Sequence, residues 1–298
     1  MESGREPRRG RAKRALNAAL RRASGYELRR VGIHKRYRPP QSRGRLLTAP
    51  TFVLCTVRSG STLVRVLLDS HSQICAPHEI HLRELRVDAK SDYIQRSLGE
   101  LSLDAAQLEY VLWDWVLHRE LEDSDKRQLV VKAPNNVFVA DRIVECWPDA
   151  RFVFLLRHPG AVARSRHELR PQDTPERNLK MVLRYANAVE DARRRYSGLT
   201  VRYEELAADP ARVTRELCEF LGVEWEPGML DYGNFSHGRY RAGLGDWKDK
   251  IRSGRVQPPD PPPAAEQIPP ALLPLCEAWG YSPSSATLTS SLPRLSPL

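Results

Sequence analysis

The sequence holds no apolar stretch approaching the ~20 residues needed to span a bilayer, and its first residues carry no hydrophobic signal core. Export and membrane insertion are both disfavoured on that reading. Cysteine is scarce: five residues, at 55, 75, 146, 218 and 276, odd in number and widely scattered. No CxxC pair or Cys/His cluster has the spacing of a zinc site, which sets aside a disulfide scaffold and a structural metal. Free buried thiols in a reduced, cytoplasmic protein are expected instead. No internal repeat is present. The body of the chain also lacks a surplus of positive charge. The formal charge is +10, but residues 1–45 hold fifteen Arg and Lys against three Glu. The other 253 residues carry 32 basic against 34 acidic side chains, a net of −2. Bulk charge therefore gives no case for a nucleic-acid partner.

What is present is a core-forming composition, 41 % apolar, in a length that suits one large α/β domain. Residues 1–45 read as a basic N-terminal extension, partly helical or disordered. Two roles stay open for it, a weak contact with an anionic surface or simply a solvated helix, the second being the commoner fate of charge runs. Residues 46–282 read as one domain and 283–298 as a disordered tail. Short, almost wholly apolar runs mark strands buried on both faces: Thr51–Val57, Leu129–Lys132, Arg151–Leu156 and Thr200–Tyr203. Helical patterns separate them, with start signals at Pro159 and at Asp209-Pro210. That alternation predicts a P-loop-like parallel sheet with helices on both faces. The Pro-rich run QPPDPPPAAEQIPP reads as a linker or surface excursion. Trp113 and Trp115 are expected in the core, and His34 and His237 on the surface.

Ligands of such sheets bind beyond the carboxyl ends of the strands, and three of the four strand ends here suit an anion. The first strand runs into VRSGST, where Arg58 supplies fixed charge and Gly60 permits close backbone approach. Ser61 and Thr62 open a helix whose N-terminal amides attract phosphate. The loop lacks the Lys and the first Gly of a nucleotide-binding P-loop. The strand RFVFLL ends in Arg157-His158-Pro159, a cation where a kinase needs a metal-binding carboxylate. Arginine clamps an anion and cannot hold magnesium. The expectation is a phosphate-bearing ligand gripped without a metal. Alone, RSGST could equally be a capped strand–helix turn, Arg157 a structural ion pair, and Tyr203 a ring packed beneath the sheet.

VRSGSTL followed by FVFLLRHPGAVARS, then VRYEEL and GLGDWK, resembles the ordered motifs of sulfotransferases that use 3′-phosphoadenosine 5′-phosphosulfate (PAPS). RSGSTLVRVLLDSH with PHEIHL after it is most similar to the tyrosylprotein-sulfotransferase branch and its bacterial relatives. The resemblance covers roughly residues 50–250 and makes 46–282 a sulfotransferase domain. It implies sulfuryl transfer from PAPS, as co-substrate and without a metal, to an acceptor hydroxyl by in-line displacement. It implies that Arg58, Ser59, Gly60, Ser61 and Thr62 hold the 5′-phosphosulfate, and that Arg157 and Ser165 hold the 3′-phosphate. Tyr203 matches a nucleotide-contacting tyrosine, and Arg241 a basic residue of the loop that closes over the 3′-phosphate. Glu79 falls at the catalytic Glu of the tyrosylprotein branch and Lys132 at its lysine near the leaving group, and Arg58 is counted with them as catalytic.

Two positions depart from that branch. His81 stands where an Arg follows the carboxylate, which leaves the acceptor's identity open. A second nucleotide-contacting Arg is missing around Leu169, with Arg166 and Arg170 near it. His78 or His81 could serve as base in place of Glu79, and Glu79 could instead be a surface carboxylate or an ion-pair partner of Arg58. The acceptor could be a small molecule, a glycoconjugate or a peptide. The alternatives in other classes are a P-loop-type small-molecule kinase and a catalytically inactive module that binds PAPS or another nucleotide.

Overall fold

A computed structural model describes residues 44–237 and 249–281. Five strands form one parallel sheet in the order β2-β3-β1-β4-β5. They are β1 (Thr51–Cys55), β2 (Ile74–Cys75), β3 (Gln128–Lys132), β4 (Arg151–Leu156) and β5 (Leu199–Arg202). Every residue of β1 is buried, because it lies centrally, with Phe52 beside Val131 of β3 and Phe152 of β4. The period of two along a strand then divides the core between the faces. Phe52, Leu54, Phe152 and Phe154 pack with Trp113, Trp147, Val189 and Trp279. Val53, Cys55, Val153 and Leu155 pack with Val64, Leu67, Leu217 and Leu221. Helices therefore cover both faces, as the strand–helix alternation predicts.

The helices start where local chemistry supplies a cap. Helix α1 (Ser61–Asp69) follows β1 directly and opens after Gly60 at φ 84°. Helix α2 (Asp92–Glu100) is capped by Ser91. Helix α3 (Ala105–Glu122) begins with a reciprocal pair in which Asp104 accepts from the Gln107 amide and the Gln107 side chain accepts from the Asp104 amide, both at 2.8 Å. The turn after β3 is a 3₁₀ segment, Pro134–Val139, that runs into α4 (Ala140–Cys146). Helices α5 (Pro159–Leu169), α6 (Pro175–Arg195) and α8 (Pro210–Leu221) each carry Pro in the first turn, capped by His158, Thr174 and Asp209. The short α7 (Tyr203–Ala208) leaves β5 without a break. None of the described helices is long and apolar enough to cross a membrane.

Three expectations change. Strand β2 has only two residues, too few to show a period, and exists because it pairs with the start of β3. Trp115 is 52 % exposed while Trp113 is fully buried. Two residues on a helix subtend about 200°, so both rings cannot face one core. His237 is buried, not superficial. Its Nδ1 meets Asp69 Oδ2 at 2.8 Å and its Nε2 lies 3.0 Å from the Tyr232 carbonyl and 3.2 Å from Ser70 Oγ. Those partners lie up to 168 residues away, beyond any local pattern. The basic extension up to residue 43, His34, Arg241, GLGDW and the tail from 283 lie outside the described residues.

The buried Asp114 ties the entry of the chain to the core. Its carboxylate accepts from the amides of Leu46 (2.6 Å) and Leu47 (3.2 Å) and from Trp147 Nε1 (2.9 Å). Replacing Asp114 by Ala strands those donors, and a buried donor without a partner costs about 1–3 kcal/mol. The Asp114→Ala variant is expected to lose roughly 3 kcal/mol in urea unfolding. A midpoint equal to that of the parent protein would refute the anchoring role.

Candidate active site

Each of the five strands delivers a polar residue at or beyond its carboxyl end. β1 leads to Arg58, β2 to Glu79, β3 ends in Lys132, β4 leads to Arg157, and β5 to Tyr203. Arg58, Glu79, Arg157 and Tyr203 line one cavity of about 520 Å³, together with Gly60, Ser61, Thr62 and Ser165. Two features bring the loop after β1 into position. Arg58 adopts φ 63°, unusual for a residue with a side chain, and its carbonyl accepts from Arg157 Nη1 at 2.9 Å. Arg58 Nε in turn donates to Ser165 Oγ at 3.2 Å. Ser59 turns its hydroxyl back to the Thr56 carbonyl (2.8 Å), pinning the loop from within.

Glycine is required at position 60. Its φ of 84° is left-handed, and a Cβ placed there would overlap the Tyr203 ring. The same ring carries the Arg157 guanidinium 4.6 Å from its centroid, so Tyr203 is clasped between loop and cation at the cavity wall. Burial raises its hydroxyl above the ordinary tyrosine value, against the opposing charge of Arg157. Buried Arg157 Nε has no hydrogen-bond partner among the described residues, leaving a donor of fixed charge in reserve beside the cavity.

The second cluster lies around Glu79. Lys132, only 1 % exposed, bonds to Glu79 Oε1, and His81 Nε2 stands 3.4 Å from Glu79 Oε2. Glu79 therefore pairs with Lys132 and not with Arg58. His81 Nδ1 donates to Asn135 Oδ1 at 2.8 Å, which fixes the ring. Burial alone would raise the Glu79 carboxyl, but the His81 hydrogen bond and the Lys132 charge outweigh it and hold it below the usual glutamate value. The hydrogen bond to Glu79 conversely raises His81. His78, by contrast, is lowered by burial and by Arg65 and Lys132. Lys132 is not among the residues that line the cavity. Its charge still reaches the end of β1, where it opposes the burial that pushes the Cys55 thiol up to about 11.

Residues that local patterns do not reveal complete the wall. Tyr232, Lys250, Arg255, Gln257 and Asp260 face the same cavity. Tyr232, Lys250 and Arg255 precede the Pro-rich run, and Gln257 and Asp260 belong to it, so that run is more than a linker. Lys250 pairs with Asp260 at 2.6 Å, and Arg164 donates to the Pro261 carbonyl at 2.7 Å, holding the Pro-rich segment across the site. Near the missing second arginine, Arg166 and Arg170 both reach the cavity beside Leu169, Arg166 being engaged with Asp173 at 3.2 Å and Asn178 at 3.1 Å. Among the described residues no group of three or more His, Cys, Asp or Glu side chains could hold a metal.

Comparison with known proteins places this arrangement. The chain is 34 % identical over 125 residues to the nodulation protein NoeE of Sinorhizobium fredii, 38 % of this chain and 30 % of that one. It is 24 % identical over 193 residues to a protein-tyrosine sulfotransferase of Drosophila melanogaster, 60 % of this chain and 39 % of that one. The chain thus spans well under half the length of either relative. Among solved structures, the sulfotransferase domain of the curacin biosynthetic pathway superposes with a TM-score of 0.57 at 22 % identity, covering 79 % of this chain and 99 % of that domain. The sulfotransferase domain of the Synechococcus PCC 7002 olefin synthase gives 0.54 at 24 %, covering 83 % and 99 %. Both likenesses are of fold. Residues 50–227, which contain every strand and the residues from Arg58 to Tyr203 described above, match the Sulfotransferase family, and the chain belongs to that family.

Proposed function

We propose that this protein transfers a sulfuryl group from PAPS to an acceptor hydroxyl by in-line displacement. The observation that carries the reading is the junction of two cationic strand ends, Arg58 and Arg157, with Ser165 and Tyr203 in one cavity that also holds the Glu79 carboxylate. The residues present fit such a donor. The cluster offers guanidinium, hydroxyl and helix-start amide donors, which suit anionic oxygens, and Arg157 Nε stands buried without a protein partner. Arg58, Gly60, Ser61 and Thr62 would hold the 5′-phosphosulfate, with Ser59 pinning their loop from within, and Arg157 and Ser165 would hold the 3′-phosphate. Tyr203 would contact the nucleotide, and Arg241, which lies outside the described residues, is assigned to the 3′-phosphate by the resemblance alone. No metal is called for, because the positive charge is supplied by arginine and lysine.

When bound, the donor supplies a sulfuryl group on a good leaving group, the bisphosphate. Glu79 takes the proton of the acceptor hydroxyl, since its carboxylate is kept ionised and faces the cavity. Lys132 orients that carboxylate and brings its own charge close to the loop, where it offsets charge on the leaving phosphate. Positioning and electrostatics supply the acceleration. The acceptor is a hydroxyl-bearing small molecule, glycoconjugate or peptide. Five free, buried cysteines support a reducing, cytoplasmic setting.

Purified protein is expected to bind 3′,5′-bisphosphoadenosine in the presence of chelator, with Arg157→Ala weakening that binding at least tenfold in calorimetry. Tight ATP–Mg²⁺ binding with none for the bisphosphate would favour a kinase instead. For Glu79→Gln, loss of a general base predicts a fall of about 10²–10⁴ in kcat with bisphosphate affinity retained. Undiminished sulfation by that variant removes Glu79 from the chemistry.

The pH profile follows from the same contacts. Glu79 is lowered, so its carboxylate persists below the ordinary glutamate value of about 4.3, and the acid limb of kcat/KM falls beneath it. His81→Ala removes a contact that lowers Glu79, and the acid limb is expected to move to higher pH. An unmoved limb would mean that another group is the base.

A further inference from the structure

Many arginines of the described residues are neutralised by a carboxylate. Arg86 and Arg142 pair with Glu109, Arg193 and Arg194 with Glu190, and Arg202 and Arg212 with Glu205. Two that are not stand together on one aromatic ring. Arg83 and Arg184 each hold the guanidinium carbon 4.7 Å from the centre of the Phe138 ring. Neither makes an ion pair or side-chain hydrogen bond among the described residues. Stacking on an aromatic face occupies the plane of a guanidinium and leaves its N–H edge available for a carboxylate.

The fold ties this pair to the reaction centre. Arg83 lies two residues beyond His81, whose ring bonds to both Glu79 and Asn135. The same segments are laced by Asn136, whose Oδ1 accepts from the Leu82 amide and whose Nδ2 donates to the Ile80 carbonyl, both at 3.0 Å. Phe138 follows in the turn that begins on the cavity wall at Pro134. Its ring meets Tyr185 of α6 edge-on at 4.7 Å. The half-buried Tyr185 hydroxyl makes no hydrogen bond among the described residues. Burial raises that hydroxyl above the ordinary tyrosine value, against the nearby charges of Arg83, Arg184 and Arg166.

We propose that Arg83 and Arg184 bind a carboxylate carried by the acceptor, with Phe138 and Tyr185 flanking its apolar part, so that the substrates are hydroxy acids. This rests on the reading of the protein as a sulfotransferase acting at Glu79. Two like charges on one ring without a carboxylate partner repel each other, and an anionic acceptor group held between them removes that repulsion while the segment from Arg83 back to Glu79 keeps its hydroxyl within reach of the base.

The test uses the full chain, with and without saturating 3′,5′-bisphosphoadenosine, and a panel of aromatic and aliphatic hydroxy acids, each beside its methyl ester. Calorimetric titration is expected to show at least one acid binding tenfold or more tightly than its ester. The Arg83→Gln/Arg184→Gln double variant is expected to erase that preference while binding the bisphosphate within twofold of the parent, which also certifies its fold. The single Arg184→Gln variant, changed at an exposed position, should lose part of it. The proposal is overturned if no acid outbinds its ester, or if the preference survives in the double variant. Preference for acids in a protein that fails to bind the bisphosphate would keep this proposal and sink the donor assignment. Bisphosphate binding without acid preference does the reverse.

Discussion

The guanidinium of Arg157 is the joint on which the site depends. It leaves the end of β4, donates to the Arg58 carbonyl at 2.9 Å, and lies over the Tyr203 ring at 4.6 Å. One side chain thereby fastens the loop after β1 to the start of the helix after β5. The loop could not hold its shape alone, because Arg58 sits at φ 63°, a conformation that costs a residue with a Cβ and persists only when its surroundings impose it. Gly60 completes the fit by removing the atom that would strike Tyr203. A loop held this way is set before any ligand arrives, which limits the ordering cost of binding.

The second cluster obeys a different constraint. Glu79 and Lys132 are both largely withdrawn from water, and a buried charge is tolerated only when paired and hydrogen-bonded. The pair keeps the carboxylate ionised, and His81, steadied by Asn135, adds a further donor. The same contacts that permit the carboxylate's burial hold its pKa below the usual glutamate value. The sheet order explains why two such clusters meet. β1 lies at the centre with β3 and β4 on either side, so the chain reverses direction across it and opens a crevice beyond its carboxyl end.

Much of this was legible locally. β1, β3, β4 and β5 announce themselves as apolar runs, since a strand buried on both faces has no polar side to alternate with. The loop after β1 is readable because its features are local: a cation, a glycine and two hydroxyls at a helix start. Glu79 and Lys132 could be singled out only through resemblance, for nothing near either residue marks it as the other's partner. Trp115 and His237 were misread because burial depends on what lies across the fold. A helical stripe does not say which of two tryptophans meets the core.

The amino-acid sequence by itself determined the layered α/β architecture and the character of the loop after β1, because hydrophobic periodicity and turn chemistry act over a few residues. Only the tertiary structure decided that Glu79 pairs with Lys132, that the Pro-rich segment walls the cavity, and that Arg83 and Arg184 share one ring without a carboxylate partner among the described residues. Those are meetings between segments tens to hundreds of residues apart. Their energy lies in distances between side chains, which no local period encodes.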